Sequence, residues 1–317
     1  LIAITALLII LSVPLWGYFI FNNPATCPGV AGWAIVVVFN ACIYFFVQAP
    51  PPLLMLLYIA NTFLGFKIVM ANNRLGRPDK LSFVQWCLFN YAWFGMNPAP
   101  FTAFPAKPLP GYMSYYKIGL SRMVAGLLLI NTGYFITPLL EVTAFNFIVH
   151  LLYLVGLSLI LHFGILKIAA GFLRGKGIHV TSLFKDPIQS KSLEEFWSKR
   201  WNIAFVELTT IAVLRPVKKR YGAGIAFWIS FLFSGLLHEL AISLPVKSGF
   251  GKPLLYFIIQ AVLIMVVEKR IFRHRPEGLP AKCWLLASVL LPVFLLFHKD
   301  FIQQVIIPLA HYLVFIR

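Results

Sequence analysis

Few ionisable side chains fall inside the apolar stretches of this chain, and ionisable groups inside a bilayer are costly enough to be functional candidates. His238 and Glu239 close the run Phe231-Leu232-Phe233-Ser234-Gly235-Leu236-Leu237-His238-Glu239. His238 lies roughly 15 residues into an apolar stretch, about 22 Å from its start at a helical rise of 1.5 Å per residue. At that depth a hydrogen-bonded neutral imidazole is tolerated and an imidazolium is expensive, which suits a general base. Neighbouring residues on a helix point about 100° apart, so Glu239 is expected to reach another helix rather than orient His238. A second cluster runs Glu194-Glu195-Phe196-Trp197-Ser198-Lys199-Arg200-Trp201-Asn202. Its acids suit a helix N-terminus and its tryptophans suit a membrane interface. Asn202 falls where the sequence turns apolar, and a buried amide needs partners. His150 and His162 read as structural.

Several chemistries are excluded by spacing. A His-Glu-x-x-His zinc site needs a second histidine at position 242, which is Ile242. Seven scattered histidines do not make a di-iron desaturase cluster, and Asp79, Asp186 and Asp300 do not form the paired aspartates that hold magnesium for prenyl transfer. No C-x-x-C spacing links Cys27, Cys42, Cys87 and Cys283. No metal or resident cofactor is expected.

The elements that must position these residues are membrane helices. The 317 residues are 60% hydrophobic and 12% charged, with a mean hydropathy of +0.84. A soluble domain carries about twice that share of charge. Apolar stretches long enough to span recur at 1–21, 30–47, 53–70, 118–140, 142–170 and 223–244, with shorter ones at 254–267, 284–297 and 301–315. The first lacks a basic flank and a small-residue cleavage site, and is expected to be a retained helix rather than a signal peptide. Residues 82–116 are rich in aromatics but hold Pro98, Pro100, Pro105, Pro108 and Pro110, too many for a spanning helix. That segment and residues 196–214 are expected to be interfacial or re-entrant. The predicted fold class is an all-α polytopic membrane protein, one domain over 1–317, with about 8–10 transmembrane helices and re-entrant segments around an internal catalytic cavity.

The net charge of +17 fits that topology better than nucleic-acid binding. With two re-entrant elements, 24 of the 27 Lys and Arg fall on one face, leaving only Lys247, Lys252 and Lys299 on the other. The positive-inside rule makes the basic face cytoplasmic. Attraction to anionic lipid or to a phosphorylated substrate is a second expected effect.

Phe196-Trp197-x-x-x-Trp201-Asn202, then a basic turn, then Phe-Ser-Gly-Leu-Leu-His238-Glu239, resembles the membrane-bound O-acyltransferase family, in particular its wax-synthase-like branch. The stretch Asn90-Tyr-Ala-Trp-Phe-Gly-Met-Asn-Pro98 is similar to the same branch. The resemblance implies that His238 is the catalytic histidine and Asn202 its partner. It implies acyl transfer from acyl-CoA, a co-substrate, to the hydroxyl of a lipophilic alcohol such as a fatty alcohol, sterol or terpenoid. Lys199, Arg200 and Arg215 are then expected to meet the CoA phosphates, with Trp197, Trp201 and Ser234 lining the substrate site. Membrane lipids are expected partners and nucleic acid is not. The rival reading is a lipid transporter or flippase with a polar midplane site; the absence of an inverted repeat counts against it.

Overall fold

The computed structural model describes residues 2–23, 27–75, 81–139, 146–272 and 278–315. Arg77, Lys80, Arg273, Arg275 and Arg317, all assigned to the basic face, lie outside them. The described residues are helical without strands, and seven stretches are long and apolar enough to cross a membrane. The protein is an integral, multi-pass, all-α membrane protein.

In chain order come α1 (Ile2–Asn22), α2 (Pro28–Phe46), α3 (Pro51–Leu75) and α4 (Phe83–Tyr91), followed by α5 (Tyr112–Ile136), α6 (Asn146–Ser158) and α7 (Leu166–Gly175). A short α8 (Leu193–Glu195) precedes α9 (Ile203–Thr209), α10 (Arg215–His238), α11 (Leu244–Val246), α12 (Lys252–Val262), α13 (Gly278–Leu290) and α14 (Val293–Leu296). The chain ends on α15 (Lys299–Phe301) and α16 (Ile307–Tyr312). Five-residue π turns at Phe196–Arg200, Thr210–Leu214 and Glu239–Ser243 interrupt the middle of this series. The proline-rich segment does not reach 116, because regular helix resumes at Tyr112 once the prolines end.

Two compact units result. The first comprises residues 1–102 and 184–298, the second residues 103–183 and 299–317. In the first, α3 is the most enclosed span, with 67% of its apolar window buried against 28% for α1 and 22% for α2. Exposed Trp16, Phe19, Phe45 and Phe46 on the outer helices give the apolar surface that lipid requires. Lys67 differs from its expected place among loop charges. It is fully buried in α3, donates to the Phe89 carbonyl and, at 2.7 Å, to that of Trp93, and sits 4.0 Å from the Phe89 ring. Its hydrogen bonds close the carbonyl end of α4, whose start is closed by a reciprocal Ser82–Gln85 capping box.

In the second unit α5 packs on α6 and α7 through glycines. A Cβ at Gly126 would lie 2.5 Å from the Gly156 carbonyl and 2.7 Å from Ile160 Cγ1. A Gly126→Leu protein is therefore expected to lose about 3 kcal/mol of stability by forcing this seam apart, read as an earlier unfolding midpoint in detergent.

Candidate active site

The site is assembled in the first unit from the 192–202 segment, α9, α10 and α12. Gly222, at φ 82°, breaks the 24-residue stretch Arg215–His238. Such a φ favours glycine, so the basic turn 215–220 and the apolar helix bearing His238 are separate rods joined at that residue. His238 Nδ1 lies 2.7 Å from the Ser234 carbonyl one turn earlier. A carbonyl only accepts, so Nδ1 carries the ring proton and the neutral imidazole keeps its lone pair on Nε2. The ring is part-buried, 4.4 Å from the Phe257 ring and 6.0 Å from that of Phe205.

Asn202 follows the π turn Phe196–Arg200, where Trp201 N–H reaches back to the Phe196 carbonyl at 2.9 Å. At φ 47° and ψ 67° its backbone is left-handed, a conformation asparagine tolerates better than most residues. Its Oδ1 accepts from Phe205 N–H at 3.2 Å and so caps α9. Phe205 thus links the two motif residues, since its amide holds Asn202 and its ring faces His238.

The acidic start of the segment is fully accounted for. Buried Glu268 accepts from Leu193 N–H at 2.7 Å, Glu194 N–H at 3.1 Å and Trp284 Nε1 at 3.0 Å. Ser192 Oγ takes Glu195 N–H at 3.0 Å, so the first turn has no unspent donor at these positions. Glu194 pairs with Lys269 at 3.0 Å. The sequence marks Glu268 as an ionisable group at the end of an apolar stretch, but gives no sign of these partners. Glu268→Ala would strand three buried or half-buried donors and is expected to cost about 3 kcal/mol, with the 192–202 segment becoming protease-sensitive first.

The sequence-predicted residues divide clearly. Trp197 Nε1 donates to Gln260 Oε1 at 3.1 Å, and its ring lies 5.6 Å from that of Phe257, which brings it into the His238 neighbourhood. Trp201 stacks on Phe196 at 5.3 Å and meets Phe184 edge-on, so its ring stands in an aromatic cluster. Ser234 spends its hydroxyl on the Ser230 carbonyl at 2.9 Å; its own carbonyl, not its Oγ, serves His238. Arg200 binds Glu195 at 2.7 Å and the Lys185 and Asp186 carbonyls at 3.2 and 3.4 Å, stapling the preceding loop. The Lys191 N–H and the Arg200 guanidinium hold the Glu195 carboxyl below its ordinary range. That stabilisation is complete at neutral pH and lost only as pH falls through the lowered value. Lys199 and Arg215 are exposed, Arg215 at the far end of α10 from His238.

Glu239, as expected, reaches another helix. Its Oε1 accepts from Gly251 N–H at 2.9 Å and Leu254 N–H at 3.0 Å, closing the start of α12. Gly235, one turn earlier, lets α12 approach, since a Cβ there would lie 2.9 Å from Leu254 Cα. Two cavities elsewhere, of about 390 Å³ each, lie between α1 and α2 and along α4, and none of the predicted site residues lines them.

Residues 180–259, which hold Asn202, His238 and Glu239, match the family described as membrane bound O-acyl transferase. Over those residues the chain is similar to that family. Curated relatives agree. A probable long-chain-alcohol O-fatty-acyltransferase 2 of Arabidopsis thaliana is 30% identical over 129 residues, 38% of this chain and 37% of that protein. The long-chain-alcohol O-fatty-acyltransferase of Simmondsia chinensis is 28% identical over 72 residues, 20% of each chain. A probable long-chain-alcohol O-fatty-acyltransferase 1 of Arabidopsis thaliana is 35% identical over 72 residues, 20% of this chain and 21% of that protein. The matched stretches thus span well under half of each relative. The family segment ends within α12, so it contains the site described above, except for Gln260, Glu268, Lys269 and Trp284.

Proposed function

We propose that this protein, acting as one membrane-embedded domain over 1–317, moves an acyl group from acyl-CoA to the hydroxyl of a lipophilic alcohol, with His238 as general base and Asn202 assisting. The observation that carries the reading is the His238–Ser234 hydrogen bond, which leaves a basic Nε2 on a residue of the family segment. An alcohol is a weak nucleophile at neutral pH, and a base at hydrogen-bond distance removes its proton as the new carbon–oxygen bond forms. Nε2 takes that proton while the alcohol oxygen attacks the thioester carbonyl. The tetrahedral intermediate then expels the CoA thiolate, which recovers the proton from the imidazolium and leaves as thiol. Asn202 Oδ1 is occupied by Phe205 N–H, so the donors on Nδ2 are those a developing oxyanion would use. Phe257, Phe205 and Trp197 provide apolar walls that favour a lipid alcohol and keep water, the competing nucleophile, away. Exposed Lys199 and Arg215, with Arg200, face the CoA phosphates in this reading, and the basic loops are cytoplasmic.

The test is transfer from labelled acyl-CoA to a panel of fatty alcohols, sterols, terpenoid alcohols and diacylglycerol by purified protein. Asn202→Ala is expected to lower kcat by about 10²-fold, the size of one lost oxyanion donor, with little change in KM. The absence of transfer to every acceptor would overturn the proposal and favour the transporter reading.

A further inference from the structure

We propose that Gln260 of α12 is a positioning residue for acyl transfer, one that locks the Trp197 indole against Phe257 and so fixes the ring on which His238 rests. The inference deepens the proposed reaction and rests on it for its catalytic consequence. Gln260 is fully buried, and a buried amide is costly unless its polar ends are bonded. Here each end has a partner on a different element. Oε1 accepts from Trp197 Nε1 at 3.1 Å, and Nε2 donates to the Ser288 carbonyl at 2.8 Å. An indole nitrogen only donates and a carbonyl only accepts, so the amide has one orientation. The Ser288 carbonyl needs that donor for a local reason. Its helical partner would be the N–H of residue 292, which is Pro292 and has none. The donor end of Gln260 is thereby committed to α13, and its acceptor end is left facing the indole.

Phe257 and Gln260 are three residues apart in α12 and share one face of it. The Phe257 ring lies 4.4 Å from that of His238 and 5.6 Å from that of Trp197. His238, Phe257 and Trp197 therefore form a row of rings, with Gln260 at its outer end. The imidazole is tethered at Nδ1 to the Ser234 carbonyl, a hydrogen bond about which the ring can still tilt. The ring packed against it sets that tilt, and with it the direction of Nε2. The base beneath the row is held by neighbouring residues. Leu193 and Phe196 pack with Ile264 and Leu285 in one buried cluster, and Trp197 packs against it. Glu268 binds Leu193 and Glu194 N–H, and Trp284 donates to Glu268. Trp284 and Ser288, four residues apart in α13, thus brace Glu268 and Gln260 from one helix face. Glu268 holds backbone at the start of the 192–202 segment. Gln260 holds the side chain that meets Phe257, so the positioning role falls to it.

The experiment measures transfer from labelled acyl-CoA to the same panel of alcohols by the purified full chain. In parallel, NMR reads 5-fluorotryptophan at Trp197 and nitrogen-15 in the His238 ring, assigned by their loss in Trp197→Phe and His238→Ala. Gln260→Leu keeps a side chain of similar bulk and removes both hydrogen bonds. It is expected to lower kcat about tenfold with KM within about twofold, because a small misplacement of the base is enough for such a loss. The Trp197 and His238 resonances should both shift. Trp197→Phe removes the indole donor but leaves Gln260 on Ser288, so it carries the test if Gln260→Leu does not fold, and its kcat should fall by a similar factor. In the double variant the two losses should not multiply. Unchanged kcat in either folded variant, or losses that multiply in the double, would overturn the positioning role. A raised KM with kcat kept would overturn it too, because the indole would then bind substrate rather than align the base. Resonances that stay in place in Gln260→Leu would overturn it whether or not transfer is seen. A wild-type protein that transfers no acyl group, while both resonances respond to Gln260→Leu, would overturn the proposed reaction and leave the brace from Gln260 to the His238 ring standing.

Discussion

His238→Ala is expected to reduce acyl transfer by about 10³-fold or more while leaving the protein folded, which corresponds to roughly 4 kcal/mol of transition-state stabilisation. Both halves of that statement follow from the geometry. Among the described residues the imidazole's hydrogen bond is to a carbonyl of its own helix, Ser234 O, so removing it orphans no described buried group on another element. A helical carbonyl keeps its backbone partner, so the loss of Nδ1–H is mild. What disappears is the Nε2 lone pair, for which neither alanine nor the flanking Phe257 and Phe205 has a substitute. His238→Gln is the sharper comparison. It preserves a polar side chain of similar reach but cannot accept and return a proton, so its activity should fall as far as that of alanine. Recovery of more than about a tenth of wild-type kcat in His238→Gln would mean that this residue binds substrate and another group moves the proton.

The class of this protein was legible because a bilayer leaves so few solutions. Repeated apolar runs with little charge admit only spanning helices, and the prolines of 98–110 exclude one more. The paired motif was legible too, because asparagine and histidine in such settings are rare and their order is informative. The supports of the site were not legible. Glu268 meets Leu193 across 75 residues, and Gln260 meets Trp197 across 63. Nothing in local periodicity announces such pairings. Lys67 read as a topology signal because a lysine near the end of an apolar run usually snorkels to the surface, whereas here the terminal carbonyls of another helix come to it. The π turns were equally hidden. They insert a residue without altering composition, yet one of them ends at Arg200, two residues before Asn202, and another begins at Glu239, immediately after His238.

Glu239→Gln and Glu239→Ala should separate two tasks that this residue performs at once. Its Oε1 holds Gly251 and Leu254 N–H, and thereby fixes the start of the helix that carries Phe257 against His238 and Gln260 against Trp197. Glutamine retains a carbonyl oxygen at the same reach, so the cap survives and only the charge is removed. Alanine removes both. The Ala variant is expected to lose about 2–4 kcal/mol of stability, for two donors left at a helix start, with a fall in kcat that tracks the displacement of α12. The Gln variant should fold as wild type does and still lose about tenfold in kcat with KM little changed. The cause is electrostatic. In the proposed reaction a positive charge would appear on the imidazole as His238 took the alcohol proton, and the neighbouring carboxylate, part-buried in a poorly screening environment, would lower the energy of that state by about 1.4 kcal/mol. The ground state, with a neutral ring, gains nothing comparable, so the effect enters kcat rather than binding. A Gln variant with wild-type kcat would confine Glu239 to holding α12, and the two tasks would reduce to one.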